Sequence, residues 1–165
     1  MTTVVATLTQ PLIEALGREG VEVEPLIARA GLVRDDLDRL DARVDYHAFM
    51  RLWEIAPQAS RDDFLGLHVA ERHVGAATFF VAGFAARQCA TLGEAVAHIG
   101  RYSRLMNENT EIALDQRGSV GEIIDGPRDG LPAWPRHYAE MALGSFMVLS
   151  RRWTGLAITP VEAAF

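Results

Sequence analysis

The chain has a single cysteine, no lysine, no excess of positive charge and no apolar run of membrane-spanning length. Each absence closes a class of function. Cys89 alone cannot form an internal disulfide, which points to a reducing compartment. It lies between an apolar segment and the start of the next helix, so it reads as a small packed residue rather than a nucleophile. All 16 basic residues are arginines, and against 22 acidic ones they leave a net charge of −6. Such a polypeptide offers no basic face to nucleic acid. The most apolar stretch, Val74–Ala86, falls short of the roughly 20 residues a spanning helix needs. The N-terminus, Met1-Thr2-Thr3-Val4-Val5, has no positive region followed by a cleavable apolar core. Together these features predict a cytoplasmic, soluble protein with no membrane partner.

What is present suits one domain with one core. The chain has 165 residues, 49% of them hydrophobic and 23% charged, far from a disordered composition. Pro11 suits the first turn of a helix carrying Leu12, Ile13 and Leu16, and Glu24-Pro25 starts another that stops at Gly31. Arg34–Asp41 is a charge-rich exposed turn; its acidic residues lack the order of an EF-hand calcium loop. Asp45 caps a helix with Phe49, Leu52, Trp53 and Ala56 on one face, which Pro57 is expected to end or kink. Asp62 or Asp63 then starts a helix carrying Phe64, Leu67, His68 and Glu71. Ala76–Ala86, apolar nearly all round, predicts a buried helix. Thr91-Leu92-Gly93-Glu94 fits a capping box, opening a helix with Leu92, Ala95, Val96, Ile99 and Met106 in one stripe and Tyr102 at its border.

The period then changes from helical to alternating. Glu111–Asp115 and Val120–Asp125 pair as a hairpin around Arg117-Gly118-Ser119, and Gly126–Pro135 forms a connection rich in glycine and proline. Pro135–Trp153 reads as a second buried helix closed by Gly155. Val161, Ala163 and Phe165 alternate like a strand, confined by Pro160 to an edge. The expected class is α+β: a mostly helical domain with a small antiparallel β-hairpin or sheet.

No motif carries catalysis. His68 and His73 point to different faces of one helix, with no carboxylate or cysteine at ligand spacing, so no metal site is expected. Glu54, Glu71, Glu94, Glu108 and Glu140 form no marked pair, and Ser103, Ser145 and Ser150 sit in helices rather than at a nucleophile elbow. Gly118-Ser119-Val120-Gly121 is a hairpin turn, not a phosphate loop. The chain therefore reads as a non-enzyme without catalytic residues or cofactor. Large soft residues instead gather on helices expected to face one another, as in an apolar ligand pocket with a few placed polar groups. The candidate ligand-binding residues are Phe79, Phe80 and Phe84 on one helix, Tyr102, Met106 and Asn107 on the next, and His137, Tyr138 and Met141 on the last.

Several segments resemble one family in order and spacing. They are Arg51-Leu52-Trp53-Glu54, Leu65-Gly66-Leu67-His68-Val69-Ala70-Glu71, Val81-Ala82-Gly83-Phe84-Ala85-Ala86, Thr91-Leu92-Gly93-Glu94-Ala95 and Gly100-Arg101-Tyr102. The hairpin follows, and then the Ala139-Glu140, Leu149 and Thr154-Gly155 positions of the last helix. Over essentially the whole chain, this resembles the N-terminal effector-binding domain of AraC-type bacterial transcription regulators. The resemblance implies a domain that binds a small-molecule effector, forms a homodimer, and controls promoter DNA only through a C-terminal helix-turn-helix module. No such module lies within residues 1–165, which are expected to be one effector-binding and dimerisation domain: either a fragment of a longer protein, or a chain whose DNA-binding half is elsewhere or lost. The competing expectations are a ligand-free dimerisation or protein-interaction module and, third, an enzyme with an unrecognised site.

Overall fold

A computed structural model describes residues 2–118 and 120–164, with the side chains of residues 76, 77 and 80 left out. The fold is α+β, as expected, with two antiparallel two-stranded sheets. One sheet escapes sequence patterning because its strands are three residues long: β1 (Thr3–Val5) pairs with β2 (Arg43–Asp45), Val4 opposite Val44. Arg43 fastens this ribbon to the rest of the chain. Its guanidinium donates to Thr3 Oγ1 at 2.7 Å, to the Leu105 carbonyl at 2.7 Å and to Glu108 Oε1 at 3.1 Å.

Between these strands run a 3₁₀ turn (Ala6–Thr9), α1 (Gln10–Arg18), α2 (Glu24–Ala30) and α3 (Arg34–Leu37). Gly31 ends α2 at φ 81°, a left-handed conformation that costs glycine little. Asp45 caps α4 (Tyr46–Ser60), accepting from the Ala48 amide at 2.9 Å. Pro57 lies inside α4 and does not end it. Only the last turn follows the proline, so a single helical hydrogen bond is forgone, and the helix stops at Arg61 in the left-handed region (φ 56°). Asp62 makes a local turn instead of a cap, accepting from the Phe64 amide, and α5 begins at Leu65 and runs to His73.

The segment expected as one buried helix is a 3₁₀ turn (Ala76–Phe79) followed by α6 (Phe80–Ala86). Small Ala82 and Ala86 face the core, while Val81 and Phe84 are 59% and 56% exposed. All-round apolarity therefore does not mean burial here, because close packing selects the small side. Helix α7 (Leu92–Met106) starts with the full capping box: Thr91 Oγ1 accepts from the Glu94 amide at 3.2 Å, and Glu94 Oε2 accepts from the Thr91 amide at 3.1 Å. Thr91→Ala removes one of these bonds. It is expected to cost about 1 kcal/mol, a fall of about 2–4 °C in the melting temperature followed by circular dichroism.

Strands β3 (Thr110–Arg117) and β4 (Val120–Pro127) form the expected hairpin, in register Ile112 to Asp125 and Leu114 to Ile123. Ser119, expected in the turn, lies outside the described residues. Helix α8 (Arg136–Thr154) closes at Gly155, φ 70°. No strand follows: residues 156–164 carry no regular element, Val161 is 94% exposed, and Phe165 lies outside the described residues. Alternation without a pairing partner has nothing to stabilise it.

The elements group into two lobes. In the first, α5 lies along α8, α1 against α5, α2 and α8 against α4, and the β1–β2 ribbon beside α4. In the second, α7 packs on α6 and across β3. Glycines let both contacts close: a Cβ on Gly66 would strike the His137 carbonyl of α8, and one on Gly100 would lie 2.7 Å from the Ile112 carbonyl of β3. The lobes meet where the two 3₁₀ turns touch, where the end of α7 bridges β1 (Val4 to Asn107), and where β4 reaches α8. Helices α7 and α8 scarcely touch.

Candidate ligand-binding seam

The junction of the lobes is built around Tyr138, in the first turns of α8 and buried. Its ring meets Trp134 edge-on at 4.7 Å and Phe49 edge-on at 5.2 Å, with Trp53 at 5.5 Å. Phe49 and Trp53 come from α4 at helical spacing, and Trp134 from the connection 128–135. That connection is anchored by the Arg128 amide donating to the Asn109 carbonyl at 2.9 Å, and its Pro135 carbonyl accepts from the first amides of α8. It acts as a strap over the aromatic cluster. Two surface clefts border it. One, of about 440 Å³, is lined by Thr2, Glu108, Asn109, Glu111, Arg128, Asp129 and Leu131. The other, of about 150 Å³, lies between α4 (Tyr46, Met50, Glu54) and Pro132–Pro135.

Near the strap is a set of buried and half-buried polar groups. Thr110 donates from Oγ1 to Asp125 Oδ1 at 3.0 Å across the hairpin. Burial pushes the Asp125 carboxyl up to about 7, with the Thr110 hydroxyl opposing the shift. Burial likewise holds the Tyr138 phenol far above its ordinary range; the Asp125 charge adds to this, the Asn107 amide opposes it, and the Tyr46 phenol contributes. Tyr46 is raised by burial against a smaller opposing effect of the Trp134 indole. Asn107, at the end of α7, accepts at Oδ1 from the Asn109 amide at 3.0 Å, yet its own Nδ2 makes no hydrogen bond. Nor does the indole nitrogen of Trp53, while that of Trp134 influences the Tyr46 phenol without meeting hydrogen-bond geometry. Buried donors left in this way cost about 1–3 kcal/mol each, and native folds keep few of them.

The sequence-derived candidates divide. Phe79, Met106, Asn107, Tyr138 and Met141 turn inward, the last four being buried. Phe84 and Tyr102 face solvent, the Tyr102 ring lying 4.9 Å from that of His98 at a tilt of 49°. His137 faces α5, its Nδ1 3.5 Å from the Gly66 amide and 3.4 Å from Glu140 Oε2. The Phe80 side chain lies outside the described residues. None of the candidates lines either cleft. Sequence reasoning missed Asp125, Thr110, Tyr46 and Trp134. A signal for Asp125 was there: two residues after Ile123 in an alternating strand, it must share that residue's inward face.

Away from the seam, two histidines lie beside carboxylates. His68 pairs with Asp62 at 2.7 Å. For Asp62, burial acts upward but is outweighed by the His68 bond, the Phe64 amide and the charges of His68 and Arg72, leaving it below its ordinary range. His73 lies 3.6 Å from Glu14. Among the described residues no three His, Cys, Asp or Glu side chains converge as a metal site, and no helix is long and apolar enough to cross a membrane.

No curated protein matches the sequence. Residues 20–165 match the family described as the arabinose-binding domain of AraC transcription regulator, N-term. That span takes in α2 through α8, including Tyr138 and its aromatic neighbours, but not β1, the first 3₁₀ turn or α1. The family's functional theme is regulatory ligand binding. The chain belongs to the N-terminal arabinose-binding domain family of AraC transcription regulators.

Proposed function

We propose that residues 1–165 are the effector-binding and dimerisation domain of a cytoplasmic AraC-type regulator, and that a small-molecule effector binds at the seam between the lobes. The observation that carries this reading is the buried polar set there, with Asn107 Nδ2, Trp53 Nε1 and Trp134 Nε1 unpartnered and Asp125 beside Tyr138. Phe79, Met106, Asn107, Tyr138 and Met141 are the proposed ligand-facing residues, joined by Asp125 and Trp134. A ligand that bonds these groups in one lobe arrangement only shifts the population toward that arrangement. The lobe movement would then reach a C-terminal helix-turn-helix module through the dimer.

The proposed dimer face is the outer side of the second lobe. Val81 and Phe84 of α6 and Tyr102 and Leu105 of α7 are between 37% and 59% exposed on two helices that pack together. This patch also favours the second reading, a ligand-free interaction module. A thermal-shift screen against sugars, amino acids, amines, organic acids and aromatics separates the two. An effector at about 100 times its dissociation constant adds about 2.7 kcal/mol of stability. The sensor reading expects a hit that disappears in Asn107→Ala and survives in Phe84→Asp, while light scattering shows Phe84→Asp as a monomer. A flat screen with an intact dimer supports the interaction module instead.

A further inference from the structure

Taking the seam as the ligand site, we propose that the effector carries a protonated amine and that Asp125 receives it. Asp125 has been brought inward on the hairpin without a cation. It faces Thr110 and Ile112 from β3, and its charge acts on the Tyr138 phenol of α8, which Asn107 of α7 and Tyr46 of α4 also influence. None of these groups is charged at neutral pH, and no ion pair forms at Asp125 among the described residues. Its Oδ1 is engaged by Thr110, and the residue is half-buried.

The ligand chemistries differ at this point. Against the ionised form of Asp125 a carboxylate ligand would set a second negative charge, and a neutral hydroxyl would leave that charge uncompensated. An ammonium supplies both the missing charge and up to three donors, converting a half-buried, unpaired carboxyl into a paired one. Asn107 Nδ2, buried and without an acceptor, then suits an oxygen elsewhere on the same molecule. The net charge of −6 also favours approach of a cation.

Binding of this kind is linked to a proton. Because Asp125 titrates near 7, an ammonium must displace its proton in weakly acidic solution. Only the ionised fraction is competent, so affinity is expected to rise roughly 20-fold between about pH 5.5 and 7.5 and to level off above. Isothermal titration with methylammonium and 1,4-diaminobutane, against L-arabinose and glycerol as neutral probes, tests this on the 165-residue chain. The expected result is amine binding with that pH dependence, proton release measured in buffers of different ionisation enthalpy, and loss of the pH dependence in Asp125→Asn. The wild-type pH profile holds the test open even if that variant folds poorly. Amine binding that is flat in pH or unchanged in Asp125→Asn overturns the proposal. Neutral probes that bind while amines do not would leave the seam a ligand site and remove the ammonium. Failure of every probe, together with a flat effector screen, removes both.

Discussion

Gly66→Ala is expected to lower stability by about 3 kcal/mol or more, at the upper end of overpacking costs. The added methyl would fall on the His137 backbone carbonyl, and would also lie 2.8 Å from that residue's carbonyl carbon and 2.9 Å from Glu140 Cβ. These are atoms of the first turn of α8, not the tip of a flexible side chain, so no rotamer change clears them. Either α5 and α8 separate or α5 slides along α8. Separation also strains Gly144, where a Cβ would meet Ala70 Cβ at 3.1 Å, because the same small-residue contact continues down the helices. At this chain length the loss is about 6–12 °C in melting temperature. Gly17→Ala is the control: α1 is also helical there, nothing lies within 4 Å of the new methyl, and up to about 1 kcal/mol of stabilisation is expected from helix propensity. Equal melting temperatures for the two variants would contradict the close approach of α5 and α8. Tyr138 follows His137 directly, so any Gly66→Ala protein that folds should also have an altered seam.

What could be read from the sequence divides along the range of the interaction. Local chemistry was legible: Pro11 in the first turn of α1, Asp45 and Thr91 as caps, Gly31 and Gly155 as left-handed stops, and the hairpin between β3 and β4. Features decided by a distant partner were not. β1 and β2 find each other about forty residues apart and are too short to show alternation. The tail near Val161 alternates but meets no strand. On α5 the buried face holds Leu65, Gly66, Val69 and Ala70, leaving Phe64 and Leu67 at the surface, because α8 needs small residues opposite it. The same preference turns Phe84 outward on α6. For the candidate site, residue type identified Tyr138, Asn107, Met106 and Met141 as interior, yet hydrophobicity drew attention away from Asp125. A carboxylate is scored as surface until the register of a strand places it inside. Trp134 sits in a proline-rich connection whose path no periodicity reveals.

That inward carboxyl should dominate the pH dependence of stability. Asp125 moves from an ordinary value of 3.8 in the unfolded chain to about 7 in the fold. Below about pH 4 it is protonated in both states and adds no charge penalty. As pH rises from about 4 to about 7 the unfolded chain releases the proton while the folded one keeps it, so stability falls across this window and flattens above it. The full shift corresponds to roughly 4 kcal/mol, and since the residue is only partly buried, about 2–4 kcal/mol is the expected loss. Asp125→Asn removes the charge and retains an oxygen for the Thr110 hydroxyl. In urea titrations it should therefore exceed the wild type by about 2–4 kcal/mol at about pH 8, with the two curves converging toward pH 4. Asp62 provides the opposite sign: its folded value is lowered, so its contribution is present above the unfolded value of 3.8 and lost as pH falls below it. Asp62→Asn should accordingly weaken the fold at neutral pH, with the difference fading in acid. If Asp125→Asn and wild type instead differ by a constant amount from pH 4 to 8, Asp125 is already ionised and solvated in the fold. The seam would then hold no latent charge for an ammonium to pair, leaving Asn107 and the indoles as its only selective groups.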